Sequence, residues 1–348
     1  TYFEHVLARD EARSVESTAT SLPPALLSAM VPPPVSVVEG PRSPDPRELR
    51  TFESITGDEV TVAVPPLPSR RSTVVPPMGG GRWSTPVDPA LGRWAALAEP
   101  LPQWAAMLGR RTADLHQVLG SESNRTEFAP VPFDVLHQQS LYQNARTLFS
   151  RALELLRQRR EQLSEADRAA ADWLVGQAPE IDRRLRDVMD GQLAAMRIRC
   201  HGDLHLGQVL FTGDDFVFVD FEGEPARKLS ERRYKRNVLR DVAGMMRSFA
   251  YAAEAALRQR QRRRGDAEAL EPWAHAWVQG LSNSFLDAYL ERLDGSPLVS
   301  EGEVRERLLR FYLLDKCIYE VYYELTNRPD WVGIPLAGLR RLLAGETP

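Results

Sequence analysis

The distribution of proline limits what the first third of this chain can form. Seventeen of the 26 prolines fall between Pro23 and Pro102, in clusters such as Pro32-Pro33-Pro34, Pro65-Pro66 and Pro76-Pro77. Each proline fixes φ and removes an amide donor, so this stretch holds neither long helices nor central strands. Short β-like runs survive inside it at 59–64 and 72–75. Gly79-Gly80-Gly81 follows a proline pair and leads into no apolar helix, which reads as a flexible linker rather than a phosphate loop. Residues 1–90 are therefore expected to be a Pro-rich linker or the remnant of a small domain. The chain begins at Thr1 rather than a methionine and is expected to be a piece of a longer polypeptide.

Composition narrows the class. With 43% apolar and 26% charged residues, the 348-residue chain has enough apolar content for a real core, and wholesale disorder is excluded. A formal net charge of −4 argues against a dedicated nucleic-acid binder. Cys200 and Cys317 are the only cysteines and cannot build a disulfide framework. No apolar run reaches the ~18 residues of a membrane span, and the N-terminus lacks a signal-peptide pattern. The expected compartment is the cytoplasm, with no membrane and no nucleic-acid partner.

From about Leu91 the pattern turns helical. Leu108, Leu115 and Leu119, with Thr112 between them, predict an amphipathic helix over 103–119. His116 sits at the edge of that stripe and reads as a packed, hydrogen-bonded histidine. Residues 138–162 and 164–190 predict two long helical stretches suited to a bundle-like layer. The period shortens between Arg197 and Phe221: Ile198–Cys200, Val209–Phe211 and Phe216–Asp220 read as strands. The turn Thr212-Gly213-Asp214-Asp215 joins the last two into a β-hairpin. Helices are expected again over 238–262, 268–293, 301–326 and 336–345. The arginine run Arg258–Arg264 reads as a solvated helix end that complements the helix dipole. The fold class is α+β, mainly helical.

The chemistry concentrates around the hairpin. Cys200, His201 and His205 invite a reading as soft metal ligands. Gly202 and Gly207 interrupt any continuous helix, however, and no CxxC pair or third histidine completes a zinc site. Phosphoryl transfer fits better. It needs a carboxylate to orient the attacking hydroxyl and accept its proton, and oxygen ligands for magnesium across the nucleotide phosphates. Asp203 and Gln208 lie five residues apart in one loop, and Asp220 follows after the hairpin. Kinases place an aspartate, an amide oxygen and a metal-binding aspartate in that order. Glu222 offers a further carboxylate to the metal.

The stretches HGDLHLGQVL and VDFEGEP, with Arg240-Asp241-Val242-Ala243-Gly244, resemble the aminoglycoside-phosphotransferase-like kinases. Within that superfamily the chain is most similar to the maltokinase family, particularly the kinase half of bacterial trehalose synthase–maltokinase fusions. Gly109–His116, Tyr319–Leu325, Asn327–Trp331 and Ile334-Pro335-Leu336 extend the resemblance, which covers roughly residues 91–348. Gln208, where the wider superfamily usually has asparagine, favours maltokinase over antibiotic kinases. The resemblance implies a protein-kinase-like C-terminal lobe at 91–348 that carries the catalytic-loop hairpin. It implies Asp203 as catalytic base, Gln208 and Asp220 as Mg2+ ligands assisted by Glu222, and His201 and Asp241 as supports of the catalytic loop. An N-cap role is the structural alternative for Asp241. The implied reaction is ATP-dependent phosphorylation of maltose to maltose 1-phosphate, for α-glucan synthesis.

The helix expected at 301–326 has two sides. Leu314, Cys317, Val321 and Leu325 form an apolar stripe, while Lys316, Glu320, Tyr323 and Asn327 line the other side, with Glu324 one turn beyond Glu320. This second side reads either as a salt-bridged solvent face, with Lys316 paired to Glu320, or as a sugar-binding face. The resemblance, with Trp331 close by, favours an acceptor site made of Lys316, Glu320, Tyr323, Glu324 and Trp331. One kinase element is missing. No lysine occurs before Lys228, and no strand–glycine loop–strand precedes the helical region. The N-lobe is thus expected to be largely absent, either supplied by an upstream part of a longer protein or lost in a divergent form. Two other readings stay open: a kinase of the same fold for another small hydroxylated substrate, and a non-catalytic pseudokinase module that scaffolds trehalose synthase.

Overall fold

A computed structural model describes residues 49–53, 59–63, 100–121, 126–223, 229–265 and 268–346. Most of the expected linker, including 72–75 and Gly79–Gly81, lies outside the described residues. Within 1–90 they hold one antiparallel hairpin, β1 (Leu49–Glu53) against β2 (Glu59–Ala63).

Local signals set most helix boundaries. Helix α1 (Leu101–Leu119) starts with proline in its first turn, where the missing amide costs no hydrogen bond. Helix α2 (Val135–Arg159) is capped by Asp134, whose carboxylate accepts the His137 amide at 2.7 Å. Ser164 caps α3 (Glu165–Gly176) in the same way. The single helix expected over 164–190 is in fact two, because α3 stops at Gly176 and α4 runs Ala178–Arg186. Pro179 is the cause: it has no N–H to continue the ladder, and its ring clashes with the preceding turn. A short helix, α5 (Leu229–Arg232), precedes α6 (Leu239–Arg264), which ends after the arginine run at Gly265, in the left-handed region at φ 74°. Helices α7 (Glu271–Arg292), α8 (Gly302–Asn327) and α9 (Gly333–Leu343) complete the order.

The strands are few and short. β3 (Val131–Pro132) pairs antiparallel with β4 (Met196–Arg197), so the strand expected at 198–200 lies slightly earlier, with Ile198 adding a single bridge to Arg236. β5 (Val209–Phe211) and β6 (Phe216–Phe218) form the expected hairpin. Arg111 of α1 clamps its turn, donating from Nε and a terminal nitrogen to the two Asp215 oxygens at 2.7 Å each.

Helices α6, α7 and α8 carry the centre of the core. Val242, Met245 and Met246 of α6, Trp277 and Phe285 of α7, and Leu308, Cys317 and Val321 of α8 are all essentially inaccessible. Removing such a side chain from water contributes roughly 1.5–3 kcal/mol. Helix α1 lies against α7 so closely that a Cβ at Gly109 would collide with the Phe285 carbonyl. This contact fixes α1, and through Arg111 the hairpin, relative to the core.

Candidate active site

The loop Cys200–Gln208 runs from β4 to β5 across the start of α6. Asp241, in the first turn of α6, holds it there. One Asp241 oxygen accepts the amide of His201 at 2.8 Å, and the other accepts that of Gly202 at 3.0 Å. His116 Nε2 lies 3.2 Å from the first of these oxygens, and His116 Nδ1 is 2.8 Å from the Tyr289 hydroxyl. The N-cap alternative for Asp241 is thereby corrected: Val238 stands at the N-cap, and the Asp241 carboxylate faces the loop. Burial disfavours the Asp241 charge, but the His116 hydrogen bond and the two histidines outweigh it and hold the carboxyl below its ordinary value. His116 is packed and hydrogen-bonded, as its place in α1 predicts.

Two further contacts press the loop onto α6. Gly244 admits the Leu204 carbonyl, which would lie 2.6 Å from any Cβ at that position. Ser248 Oγ accepts the Leu206 amide at 2.9 Å. His201 Nε2 is 2.8 Å from the Val219 carbonyl, linking the loop to the end of the hairpin. The loop is therefore tied to α1, α6 and the hairpin before any ligand arrives.

On this frame Asp203 is mostly buried, with Oδ1 at 3.3 Å from Lys316 Nζ and Oδ2 at 3.9 Å from His205 Nε2. Gln208 and Asp220 meet directly, the amide Nε2 donating to Asp220 Oδ2 at 2.9 Å. Asp220 is the only non-glycine residue with positive φ, 62°, among the described residues. Aspartate tolerates that region better than most residues, and strained backbone of this kind gathers at functional sites. Glu222 is exposed and lies 3.8 Å from Arg232. Gln208, Asp220 and Glu222 offer hard oxygen donors, the set that suits Mg2+.

Residues expected on one sugar-binding face of α8 separate into two groups. Lys316 reaches Asp203, not Glu320, so the alternative Lys316–Glu320 pair does not form. Glu320 and Glu324 are buried, which corrects their placement on an open face. Arg247 and Tyr251 stand one turn apart on α6, in register with these two glutamates. Arg247 donates to Glu320 at 2.7 Å and the Tyr251 hydroxyl to Glu324 at 2.8 Å. Arg328 also donates to Glu324, and its guanidinium lies 5.6 Å from the Tyr323 ring centre and 5.3 Å from that of Trp331. Trp331 stacks parallel to Tyr251 at 6.4 Å. At 1.5 Å rise per residue, Glu324 is about 12 Å along the helix from Lys316.

The pocket beside Asp203 is lined instead by Tyr312, Asp315, Lys316 and Tyr319 of α8 and by Arg240 of α6. Asp315 is 3.9 Å from Arg240, and Lys316 lies 5.0 Å from the Tyr319 ring centre. Of these the sequence singles out Lys316 as a site residue and Arg240 and Tyr319 only as motif positions, while Tyr312 and Asp315 went unremarked. Their 312–315–316–319 spacing is a helical face, and that signal was available.

His116, Cys200 and Asp241 also bring three ligand-type atoms within 4.8 Å of one another. A metal would need a thiolate there. Burial instead pushes the Cys200 thiol well above its ordinary range, and its Sγ donates to the Arg236 carbonyl at 3.4 Å. The Asp241 oxygens already serve the loop, so this cluster is a hydrogen-bonded brace. The soft-metal reading of Cys200, His201 and His205 fails as well, because the two imidazoles are turned to Val219 and Gly207.

Among the described residues no helix is long and apolar enough to cross a membrane. The phosphotransferase enzyme family (APH) matches residues 73–276, more than half of the chain. A glucosamine kinase of Mycolicibacterium smegmatis is 34% identical over 155 residues, covering 44% of this chain and 36% of that protein. A glucosamine kinase of Streptacidiphilus jiangxiensis is 30% identical over 194 residues, covering 53% of this chain and 41% of that protein. The chain thus spans about two fifths of the length of these relatives. A solved glucosamine kinase in complex with glucosamine, ADP and inorganic phosphate superposes with TM-score 0.59 at 24% identity, over 74% of this chain and 59% of that one. A second crystal form of a glucosamine kinase gives TM-score 0.59 at 24% identity, over 73% of this chain and 57% of that one. At that identity the likeness is one of fold.

Proposed function

Because this chain belongs to the phosphotransferase enzyme family, we propose that it transfers the γ-phosphoryl group of ATP to a hydroxyl of a small sugar, with Asp203 as general base. The observation that carries this reading is the placement of Asp203 in the lining of a pocket, against Lys316, on the same loop as Gln208, which itself pairs with Asp220. The sugar hydroxyl donates its proton to the Asp203 carboxylate as its oxygen forms a bond to the γ-phosphorus. The bond from that phosphorus to the bridging oxygen breaks, and ADP leaves with the electron pair. Lys316 supplies positive charge beside the acceptor. Gln208 and Asp220, with Glu222 assisting, would hold Mg2+, which when bound neutralises the phosphate oxygens.

For the acceptor we propose maltose, giving maltose 1-phosphate, on the strength of the motifs that run from His201 to Glu222 and from Tyr319 to Trp331. The pocket residues of α8 suit a hydroxyl-rich ligand: Asp315 and Lys316 offer an acceptor and a donor, and Tyr312 and Tyr319 complete the lining. A second reading, glucosamine, is favoured by one feature. The Asp315 carboxylate lines the same pocket and could receive an ammonium group, and the relatives named above are glucosamine kinases. In either case residues 91–348 act as the catalytic and acceptor lobe, and 1–90 as a linker or N-lobe remnant.

The test is ADP release by the natural full-length protein with maltose and glucosamine offered separately. Release with maltose supports the first reading and release with glucosamine alone the second. Release with neither, in a protein that binds ATP, overturns both.

A further inference from the structure

We infer that His205 is a positioning residue for Asp203, locked by Gly207 in the tautomer that presents Nε2–H to the Asp203 carboxylate. This rests on the reading of Asp203 as the base. The Gly207 amide lies 3.0 Å from His205 Nδ1. A peptide N–H can only donate, so Nδ1 carries its lone pair toward Gly207, and the one proton of the neutral ring sits on Nε2. That nitrogen faces Asp203 Oδ2 at 3.9 Å, while Lys316 Nζ faces Oδ1 at 3.3 Å. The carboxylate therefore has an ammonium on one oxygen and an imidazole N–H on the other. Lys316 holds the first oxygen, and the imidazole stands just beyond hydrogen-bond length from the second. Catalytic contacts often tighten on ligand binding, and a closure of about 1 Å would bring Nε2 within hydrogen-bond reach.

Gly207 makes the lock possible. A Cβ there would lie 2.8 Å from His205 Cε1 and 3.0 Å from Nδ1, so any side chain displaces the ring. His205 is extended, at φ −155° and ψ 173°, and opens the 3-10 turn at 206–208 that ends in Gln208. One imidazole thus couples the carboxylate to the turn that carries the amide. With Nε2 protonated and Nδ1 engaged, the ring has no free lone pair for the acceptor's proton. Its contribution is orientation, not proton relay.

The experiment reads the ring directly. In 15N spectra of the full chain at neutral pH, His205 should show a protonated Nε2 and an unprotonated Nδ1, and Gly207→Ala should mix the tautomers. A ring protonated at Nδ1, or at both nitrogens, would overturn the inference. In steady-state assays of the natural protein, His205→Ala should lower kcat by ~10–100-fold with acceptor KM nearly unchanged, the size expected when a reacting group is misplaced by about 1 Å. His205→Gln, whose amide N–H reaches the place of Nε2, should recover part of that loss, and His205→Asn should not. Wild-type kcat in His205→Ala overturns the positioning role. If the wild-type protein phosphorylates no sugar, the kinase reading falls, and the tautomer result still decides the lock on its own.

Discussion

Lys316 Nζ lies 3.3 Å from Asp203 Oδ1, across the gap between α8 and the loop that precedes β5. It is one of three lysines in a chain whose other basic residues are arginine, and it sits beside the proposed base. A compact ammonium fits there without the planar fork of a guanidinium. Lys316→Met should reduce kcat/KM for the sugar by ~10–100-fold with no loss of thermal stability, since the side chain is partly exposed. Lys316→Arg should rescue poorly. Equal kcat/KM in wild type and Lys316→Met would remove Lys316 from the site.

The Gln208–Asp220 contact leads to a metal prediction. Asp220→Asn should raise the Mg2+ concentration needed for half-maximal activity by at least ~10-fold, because one charged oxygen donor is lost from a hard-cation site. Glu222→Gln, at an exposed position, should shift it far less. A Mg2+ titration of each variant checks this, and identical curves for Asp220→Asn and wild type would oppose the assignment.

The brace at Asp241 predicts a pH effect on folding. Its folded pKa lies below the ordinary aspartate value of 3.8, so its stabilisation is fully present above that value. It is lost as pH falls through the depressed folded value. Urea unfolding of wild type should therefore lose stability below about pH 4 relative to Asp241→Asn. Parallel curves for the two proteins would contradict the brace.

His137 predicts a second window. Its Nε2 is buried without a partner among the described residues. Burial first, then Arg197 and Arg236, lowers its pKa from 6.5 to about 4. The folded ring stays neutral where the unfolded one binds a proton, so stability should fall as pH drops from about 6.5 to about 4. In His137→Leu that slope should disappear from urea midpoints measured across the window.

The two halves of α8 should separate in mutagenesis. Glu320→Ala leaves Arg247 buried without its carboxylate and should cost about 3–5 kcal/mol of stability. Asp315→Asn should leave stability almost unchanged and weaken sugar binding measured by calorimetry. The reverse pattern would return the acceptor site to Glu320 and Glu324.

Much of this was readable from residue order, for physical reasons. Motifs that tie backbone to chemistry survive translation into space: the hairpin with its 212–215 turn forms as expected, and Gln208 meets Asp220 across it. The helix end read from the arginine run Arg258–Arg264 also falls within a few residues of expectation, with α6 closing at Arg264. What could not be read was which side of a polar helix meets another helix. Glu320 and Glu324 looked solvent-facing because their partners, Arg247 and Tyr251, lie about 70 residues away on α6. His116 and Tyr289 join the brace of the 200–208 loop over still longer separations, through contacts that no local period encodes.

Transfer of labelled phosphate from the γ position of ATP to maltose and to glucosamine, by the natural protein and its Asp203→Asn variant, decides whether Asp203 is the base of a sugar kinase. A labelled sugar phosphate is expected with wild type, and a rate reduced by about 10²–10⁴ in Asp203→Asn, the range of general-base catalysis. Undiminished transfer by the variant would contradict that role.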